Sequence, residues 1–418
     1  MANSSINGWS PKQSAKKNLQ GEPTLATRKV AEQEITNQGL LTEQFTLLNA
    51  LSSSQHLEYE KISDTQDPFK LRLKIEVADQ AVIAFTPYFT IPDSYLAWLE
   101  KQDLSASLMT FISLGFSLLM TIAAVIYMII HYKTMRFSRG WLLTLIFIII
   151  YTLNNLNMSP GFQAMTGGSS LTQTSLFELL FIHILTLLLG LSVYVSFAAG
   201  SLMWERSGWQ PWPQWKEAHF GQEVFYGMGR GYLLCLFMLG VQQVLFYVAE
   251  TRFDVWAIND PSDSPLNMLK PGLYPTLAWV AAISEEATFR LFGIILFKKL
   301  FKSNFLAILL PSIIWAASHT QYPIYPVYTR LIEVTIIGII FGYAFLKYGF
   351  ITALFAHASM DSILMGLSLL SLNDAGQALL GLGYILLPLL VGCFIAWLHG
   401  KRRRPLTPWE PPPRLAAR

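Results

Sequence analysis

Hydrophobic and polar positions follow two different rhythms along this chain. Up to about residue 104 they are mixed. The first fifty or so residues are polar and poor in aromatics, with Lys16-Lys17 among scattered Ser, Thr and Gln. Such a stretch buries too little apolar surface to offset the entropy of ordering, so residues 1–60 are expected to be a tail with little fixed structure. Between 71 and 77 the pattern sharpens: Leu71, Leu73, Ile75 and Val77 alternate with Arg72, Lys74 and Glu76. A period of two is that of a strand with one covered face. Ala78-Asp79-Gln80 can turn the chain into a second strand over 81–85, and Pro92-Asp93-Ser94 offers a start for a helix over 95–101. Residues 61–104 are therefore expected to form a small α/β module.

From about residue 105 the rhythm changes to long apolar runs separated by short polar loops. The runs lie near 106–130, 141–157, 176–203, 231–249, 273–297, 304–319, 331–347, 350–369 and 377–398. A helix needs roughly 20 apolar residues to cross a bilayer core. The expected fold class is thus an all-α polytopic membrane bundle of about nine transmembrane helices over 105–400, preceded by the small extramembrane α/β module. A basic, Pro-rich tail closes the chain at 401–418. Some runs are short or interrupted, so two neighbours could form a hairpin or a re-entrant pair. Composition agrees: 52% of the residues are hydrophobic and 14% charged, against about a quarter charged in an ordinary soluble domain.

Charge enters through the loops. Lys133, Arg136 and Arg139 follow the first run, Arg206, Lys216 and Arg230 the third, Lys298, Lys299 and Lys302 the fifth, and Lys401–Arg404 the ninth. The intervening loops are poor in Lys and Arg. The positive-inside rule then puts the basic loops and the carboxyl terminus in the cytoplasm and residues 1–104 outside. Trp204, Trp209, Trp212 and Trp215 read as an aromatic belt at a membrane boundary. Nothing before residue 104 could carry that stretch across, so either an upstream segment missing from this chain, the favoured expectation, or a first helix that inserts as a reverse anchor is expected. Cys235 and Cys393 both lie in apolar runs and allow no CxxC metal site or disulfide framework.

The chemistry sits inside the apolar runs, where ionisable residues are expensive and mark function by default. The fifth run carries Ser284-Glu285-Glu286-Ala287-Thr288-Phe289-Arg290. Glu286 and Arg290, at i and i+4, can pair on one helix face. Glu285, turned by about 100° from Glu286, lies outside that pair. The sixth run ends Trp315-Ala316-Ala317-Ser318-His319, with Pro311 expected to kink it. The eighth holds His357 and Asp361, again at i and i+4. Arg330 and Glu333 border the seventh and could pair with each other or with Arg290. Gly338-xxx-Gly342 permits close helix packing. Read singly, each has a plain alternative: a structural ion pair, an interfacial histidine, a satisfied buried pair. Together they offer a carboxylate base beside a water, two imidazoles, and a donor for an oxyanion. The same residues, Glu285, His319, His357 and Asp361, could instead hold a divalent metal such as zinc.

Glu285-Glu286-xxx-Arg290, Trp315-xxx-His319 and His357-xxx-Asp361 resemble, in order and spacing, the three motifs of the CAAX prenyl endopeptidase and bacteriocin-processing family of intramembrane proteases. Gln321-Tyr322-Pro323 through Arg330 and Glu333 looks like a segment of its long bacterial members. The resemblance is centred on 273–365. It implies peptide-bond hydrolysis within a bacterial cell membrane by water activated at Glu285, with Glu286 in the motif and His319 assisting. His357 and Asp361 would be oxyanion donors or metal ligands, and Arg290, Trp315, Arg330 and Glu333 supports. Many members carry Asn where this chain has Asp361. An ionised carboxylate cannot donate to an oxyanion, so Asp361 carries a proton, orients His357, or binds metal. The expected partners are the bilayer and a membrane-associated protein or peptide: a prenylated carboxyl-terminal peptide, a leader peptide or a regulatory membrane protein. Nucleic acid is not among them. Two other classes compete, a non-proteolytic scaffold or immunity-type protein and a proton-coupled transporter. Against the transporter stands the lack of an internal repeat with matched broken helices.

Overall fold

The computed structural model describes residues 22–62, 69–161, 173–258 and 264–402. It divides into two compact units, residues 1–101 and 102–418. In the first, helix α1 (Leu25–Asn37) accompanies a four-stranded antiparallel sheet in the order β1 (Phe45–Leu47), β2 (His56–Lys61), β3 (Leu71–Ala78), β4 (Ala81–Phe89). The expected tail over 1–60 is therefore corrected for its described part. Apolar residues are sparse there, but they fall at the right spacing. Ala31 and Ile35, one turn apart, are buried from α1, Leu57 and Tyr59 from β2, and Leu73, Ile75 and Val77 from β3, in one small core. Averaging the composition over fifty residues hides that spacing. Thr24 caps α1, its hydroxyl accepting from the Thr27 N–H at 3.2 Å. Residues 1–21 lie outside the described residues.

The alternation at 71–77 is a strand, as expected. Asp79 and Gln80 both take positive φ (50° and 63°) and join β3 to β4 with Ala78 opposite Ala81, as a two-residue hairpin turn requires. The second strand is longer than the sequence suggested. The short helix expected over 95–101 is instead the start of α2 (Asp93–Ile130), which has no breaker to stop it before the apolar run.

The second unit is the helical bundle. It contains most of α2, then α3 (Trp141–Asn157), α4 (Gln173–Arg206), α5 (Phe220–Phe253), a broken run formed by α6 (Leu277–Glu285), a π-helical segment (Glu286–Gly293) and α7 (Ile294–Phe301), then α8 (Asn304–Ala317), α9 (Val327–Tyr348), α10 (Phe350–Leu370) and α11 (Ala375–Arg402). Two short strands, β5 (Trp256–Ala257) and β6 (Ile324–Tyr325), pair across one end. Among the described residues six helices are long and apolar enough to cross a membrane: α2, residues Leu179–Arg206 of α4, α5, α9, α10 and α11. The other three expected runs are the shorter α3 and α8 and the interrupted α6–π–α7. The protein is a multi-pass membrane protein.

Hydrogen bonds tie the loops into two groups, one at each end of the bundle. Arg139 donates to the Trp212 carbonyl (2.8 Å), the Phe350 N–H to that of Pro211 (2.9 Å), and His399 Nε2 to that of Trp215 (3.1 Å). At the other end Tyr325 donates to Asp103 (2.9 Å), Ile258 to Pro323 (3.1 Å) and Leu269 to Asn157 (2.9 Å). The first group carries the basic loops. The tryptophans next to them are not a lipid-facing belt. Trp204 is fully buried, and Trp209 and Trp212 pack on Phe345 and Phe350. Inward packing prevails because α4 meets the broken run here and needs large side chains to fill the gap.

Two contacts place the future site. α10 is the most enclosed of the six spans, with 61% of its apolar stretch buried against 17% for α2 and 11% for α5. α8 and α9 approach closely at Gly338 and Gly342: a Cβ on Gly342 would lie 2.5 Å from Ile308 Cγ2, and one on Gly338 2.9 Å from Ser312 Cβ. The expected packing role of the Gly-xxx-Gly pair is thus met, and it draws Trp315 of α8 into the core.

Candidate active site

The broken run is the local source of the site. α6 keeps α-helical hydrogen bonding up to Glu285, and the wider π turns begin at Glu286. π segments are rare and concentrate at functional sites, because the extra residue re-aims side chains and frees a carbonyl. Here the Leu291 carbonyl accepts from Trp204 Nε1 at 2.8 Å. Gly200, one turn earlier on α4, lets the backbones approach; a Cβ there would lie 2.9 Å from the same oxygen. The two adjacent glutamates consequently meet different partners.

Glu286 turns inward and is fully buried. Its Oε1 lies 3.1 Å from Arg290 Nη1 and 2.8 Å from His357 Nδ1. The i, i+4 pair expected from the sequence is present, with His357 as a third member. Arg290 is flanked by aromatic faces, its guanidinium 4.1 Å from the Trp315 ring centre and 4.9 Å from that of Phe341. Glu285 turns the other way and stays partly accessible, its side chain 22% exposed. Its Oε2 accepts from the Trp315 indole N–H and lies 3.7 Å from His357 Nε2. Its Oε1 lies 4.0 Å from His319 Nε2. Asp361 Oδ2 is 3.5 Å from His357 Nε2, on the same helix face. Five residues singled out from three separate runs thus converge: Glu285, Glu286, His319, His357 and Asp361.

Hydrogen bonding fixes which ring nitrogens face Glu285. His319 Nδ1 is 2.9 Å from the Trp315 carbonyl. A carbonyl only accepts, so Nδ1 carries the proton and Nε2 points at Glu285. His357 Nδ1 faces the Glu286 carboxylate, so that nitrogen donates as well, and Nε2 sits between Glu285 and Asp361.

Arg330 and Glu333 form a second cluster beside the first. Arg330 Nη1 donates to Glu333 Oε2 at 2.6 Å, and Glu333 Oε1 accepts from Gln242 Nε2 at 2.7 Å. They pair with each other rather than with Arg290. Arg330 lies 5.3 Å over the Tyr322 ring, which stacks on His319 with centres 6.0 Å apart. Gln242 and Phe341 escaped the sequence reading, while Trp204 was assigned to a lipid-facing belt and Tyr322 only to a family-like segment. Only Gln242 left a signal, as an amide inside an apolar run. The others are aromatics whose partners become visible only in three dimensions.

Imidazole nitrogens and carboxylates suit zinc by donor type. Among the described residues, however, no group of three or more His, Cys, Asp and Glu is arranged to hold a metal ion.

A bundle whose ionisable cluster is drawn from three separate helical stretches defines a class: membrane proteins with a polar site inside the apolar core. The comparisons narrow it. Residues 268–363, which span the whole cluster, match the model of Rce1-like, type II CAAX prenyl endopeptidases. The chain is also 26% identical over 200 residues to the sporulation-killing factor biosynthesis protein SkfC of Bacillus subtilis strain 168. That alignment covers 47% of this chain and 38% of SkfC, so the chain spans well under half of that relative's length. No solved structure matches. The resemblance read from the three motifs is borne out: the segment that carries the site is similar to the CAAX prenyl endopeptidases of that family.

Proposed function

We propose that the protein is an intramembrane endopeptidase in which Glu285 activates water. The observation that carries this reading is the 4.0 Å gap between Glu285 Oε1 and His319 Nε2. Both atoms are acceptors on partly exposed side chains, and a single water can bridge two acceptors at this separation. Donating its two hydrogens to them, the water turns a lone pair towards a substrate carbonyl. Glu285 takes one proton as the O–C bond forms. His357, with the Glu286 carboxylate at Nδ1 and those of Glu285 and Asp361 near Nε2, acts as the doubly protonated imidazolium, whose Nε2–H faces the developing oxyanion and donates to it. The proton on Glu285 then passes to the leaving nitrogen as the C–N bond breaks. Asp361 either donates as a neutral acid or orients His357. The match to Rce1-like endopeptidases supports peptide cleavage. A relative named for the biosynthesis of a sporulation-killing factor keeps a precursor peptide among the substrate classes, beside a prenylated peptide and a regulatory membrane protein.

Asp361→Asn separates direct donation from metal ligation. As a donor position it keeps activity within about threefold, since an amide N–H replaces the acid O–H. As a ligand position it loses activity together with bound metal, and added zinc restores both. Activity and metal content of the purified variant decide between them.

The orientation belongs to the same proposal: basic loops and carboxyl end in the cytoplasm, first unit outside. A reagent that cannot cross membranes should label Ser94→Cys but not Gly400→Cys in intact cells. The reverse pattern would invert the topology.

A further inference from the structure

The accessible carboxylate of Glu285 accepts a hydrogen bond from an indole, the one such donor to it among the described residues. Trp315 Nε1 donates to Glu285 Oε2. Trp315 is 4% exposed and is itself fixed on every side. Its ring face lies 4.1 Å from the Arg290 guanidinium. Its edges meet His319, His357 and Phe341 with ring centres 4.9, 5.9 and 6.0 Å away. Its backbone is fixed too, because the carbonyl of Trp315 accepts from His319 Nδ1. One residue therefore contacts the carboxylate through its side chain and sets the tautomer of the neighbouring histidine through its backbone.

We infer that Trp315 is a positioning residue for the reaction. It holds Glu285 in the rotamer that leaves Oε1 towards His319, with Arg290 acting through the indole it stacks on. The inference rests on the proposed role of Glu285 as the base. A carboxylate on a three-torsion side chain at a widened helical turn has several rotamers open to it. A charge-assisted hydrogen bond from a buried, stacked ring selects one of them. An aromatic ring without the N–H could fill the same space and hold Arg290 by its face, but it could not hold Glu285. The indole nitrogen thus joins His357 in linking the buried Glu286–Arg290 pair to the accessible Glu285. Misplacing a reacting group by about 1 Å can cost about a hundredfold in rate, so a single N–H has room to matter.

The test is Trp315→Phe in the full chain, purified in nanodiscs. It keeps an aromatic ring beside Arg290 and removes the donor together with part of the indole's buried volume, a packing loss that the unfolding temperature reads separately. The expected result is a tenfold to hundredfold fall in kcat with KM changed less than twofold and thermal unfolding within a few degrees of wild type. Trp315→Leu, which also removes the ring, should be the less stable of the two. A second readout does not depend on activity. With the indoles labelled with 15N, the Trp315 N–H resonance is the one missing from Trp315→Phe. It should lie downfield and move upfield in Glu285→Gln, where a neutral acceptor replaces a charged one. Wild-type kcat in Trp315→Phe, or an indole resonance unmoved by Glu285→Gln, overturns the inference. If Glu285→Gln itself cleaves normally, the base assignment falls instead, so the two failures are distinguishable.

Discussion

The sheet unit and the broken helix use the same kind of ion pair in opposite surroundings. On the open face of the sheet, Glu60 lies 2.8 Å from both Lys70 Nζ and Arg72 Nη2, and the Lys70 side chain is half exposed. In the bundle, Glu286 and Arg290 sit 3.1 Å apart with 0% and 2% of their side chains exposed. The distances are alike and the consequences are not. Water and mobile ions screen the first pair, and holding two long side chains in place costs entropy, so it contributes about 0–1 kcal/mol. The second pair gave up its hydration on folding and depends on each partner to compensate the other. Removing one side leaves an uncompensated charge at a cost of about 3–5 kcal/mol. Ion pairs in the sheet unit therefore decorate a fold that its small core holds. The pair in the bundle is part of what holds the site.

Breaking the inner pair has the larger expected effect. Glu286→Gln and Arg290→Leu should each destabilise the bundle by about 3–5 kcal/mol. The double variant should lose less than the sum, because neither residue then leaves a lone buried charge. Denaturant unfolding in detergent micelles reads all three. Strict additivity would break the comparison by showing that the two residues do not compensate each other.

Breaking the outer pair should do little. Hydrogen bonding from Lys70, with Arg72 adding to it, holds the Glu60 carboxyl below its ordinary value of 4.5. A folded-state value below the unfolded one means that the contribution is fully present above the unfolded value and is lost as pH falls through the folded value. Glu60→Gln should cost about 0.2–1 kcal/mol at neutral pH, read as amide-exchange protection of β3 in the full chain. The difference from wild type should vanish in acid below the ordinary glutamate range. A loss above about 3 kcal/mol would show that the open face of the sheet, rather than its apolar core, carries that unit.

What could be read from the sequence divides along similar lines. The apolar runs, the strand at 71–77 and the i, i+4 pairs depend on periods a few residues long, and all of them appear in the structure. The widened turn at Glu286 does not announce itself, because a π segment is stabilised from outside, here by Trp204 and Gly200 on another helix. Gln242 could be recognised only as an anomaly; its partner Glu333 is 91 residues away. The fold of residues 22–60 was hidden by composition, since two buried residues of α1 and two of β2 are enough once β3 and β4 supply the rest. The Trp204–Trp215 cluster misled because an aromatic belt and an inward-facing aromatic plug have the same composition and differ only in direction.

Glu285 is the carboxylate left outside the inner pair and the proposed base. The decisive measurement is cleavage of fluorogenic membrane peptides, prenylated and unprenylated, by purified protein in nanodiscs, with Glu285→Gln beside wild type. The expected result is cleavage of at least one peptide by wild type, a loss of about a thousandfold or more in Glu285→Gln, and unfolding of the variant indistinguishable from wild type. Activity of Glu285→Gln within a few-fold of wild type would contradict the account.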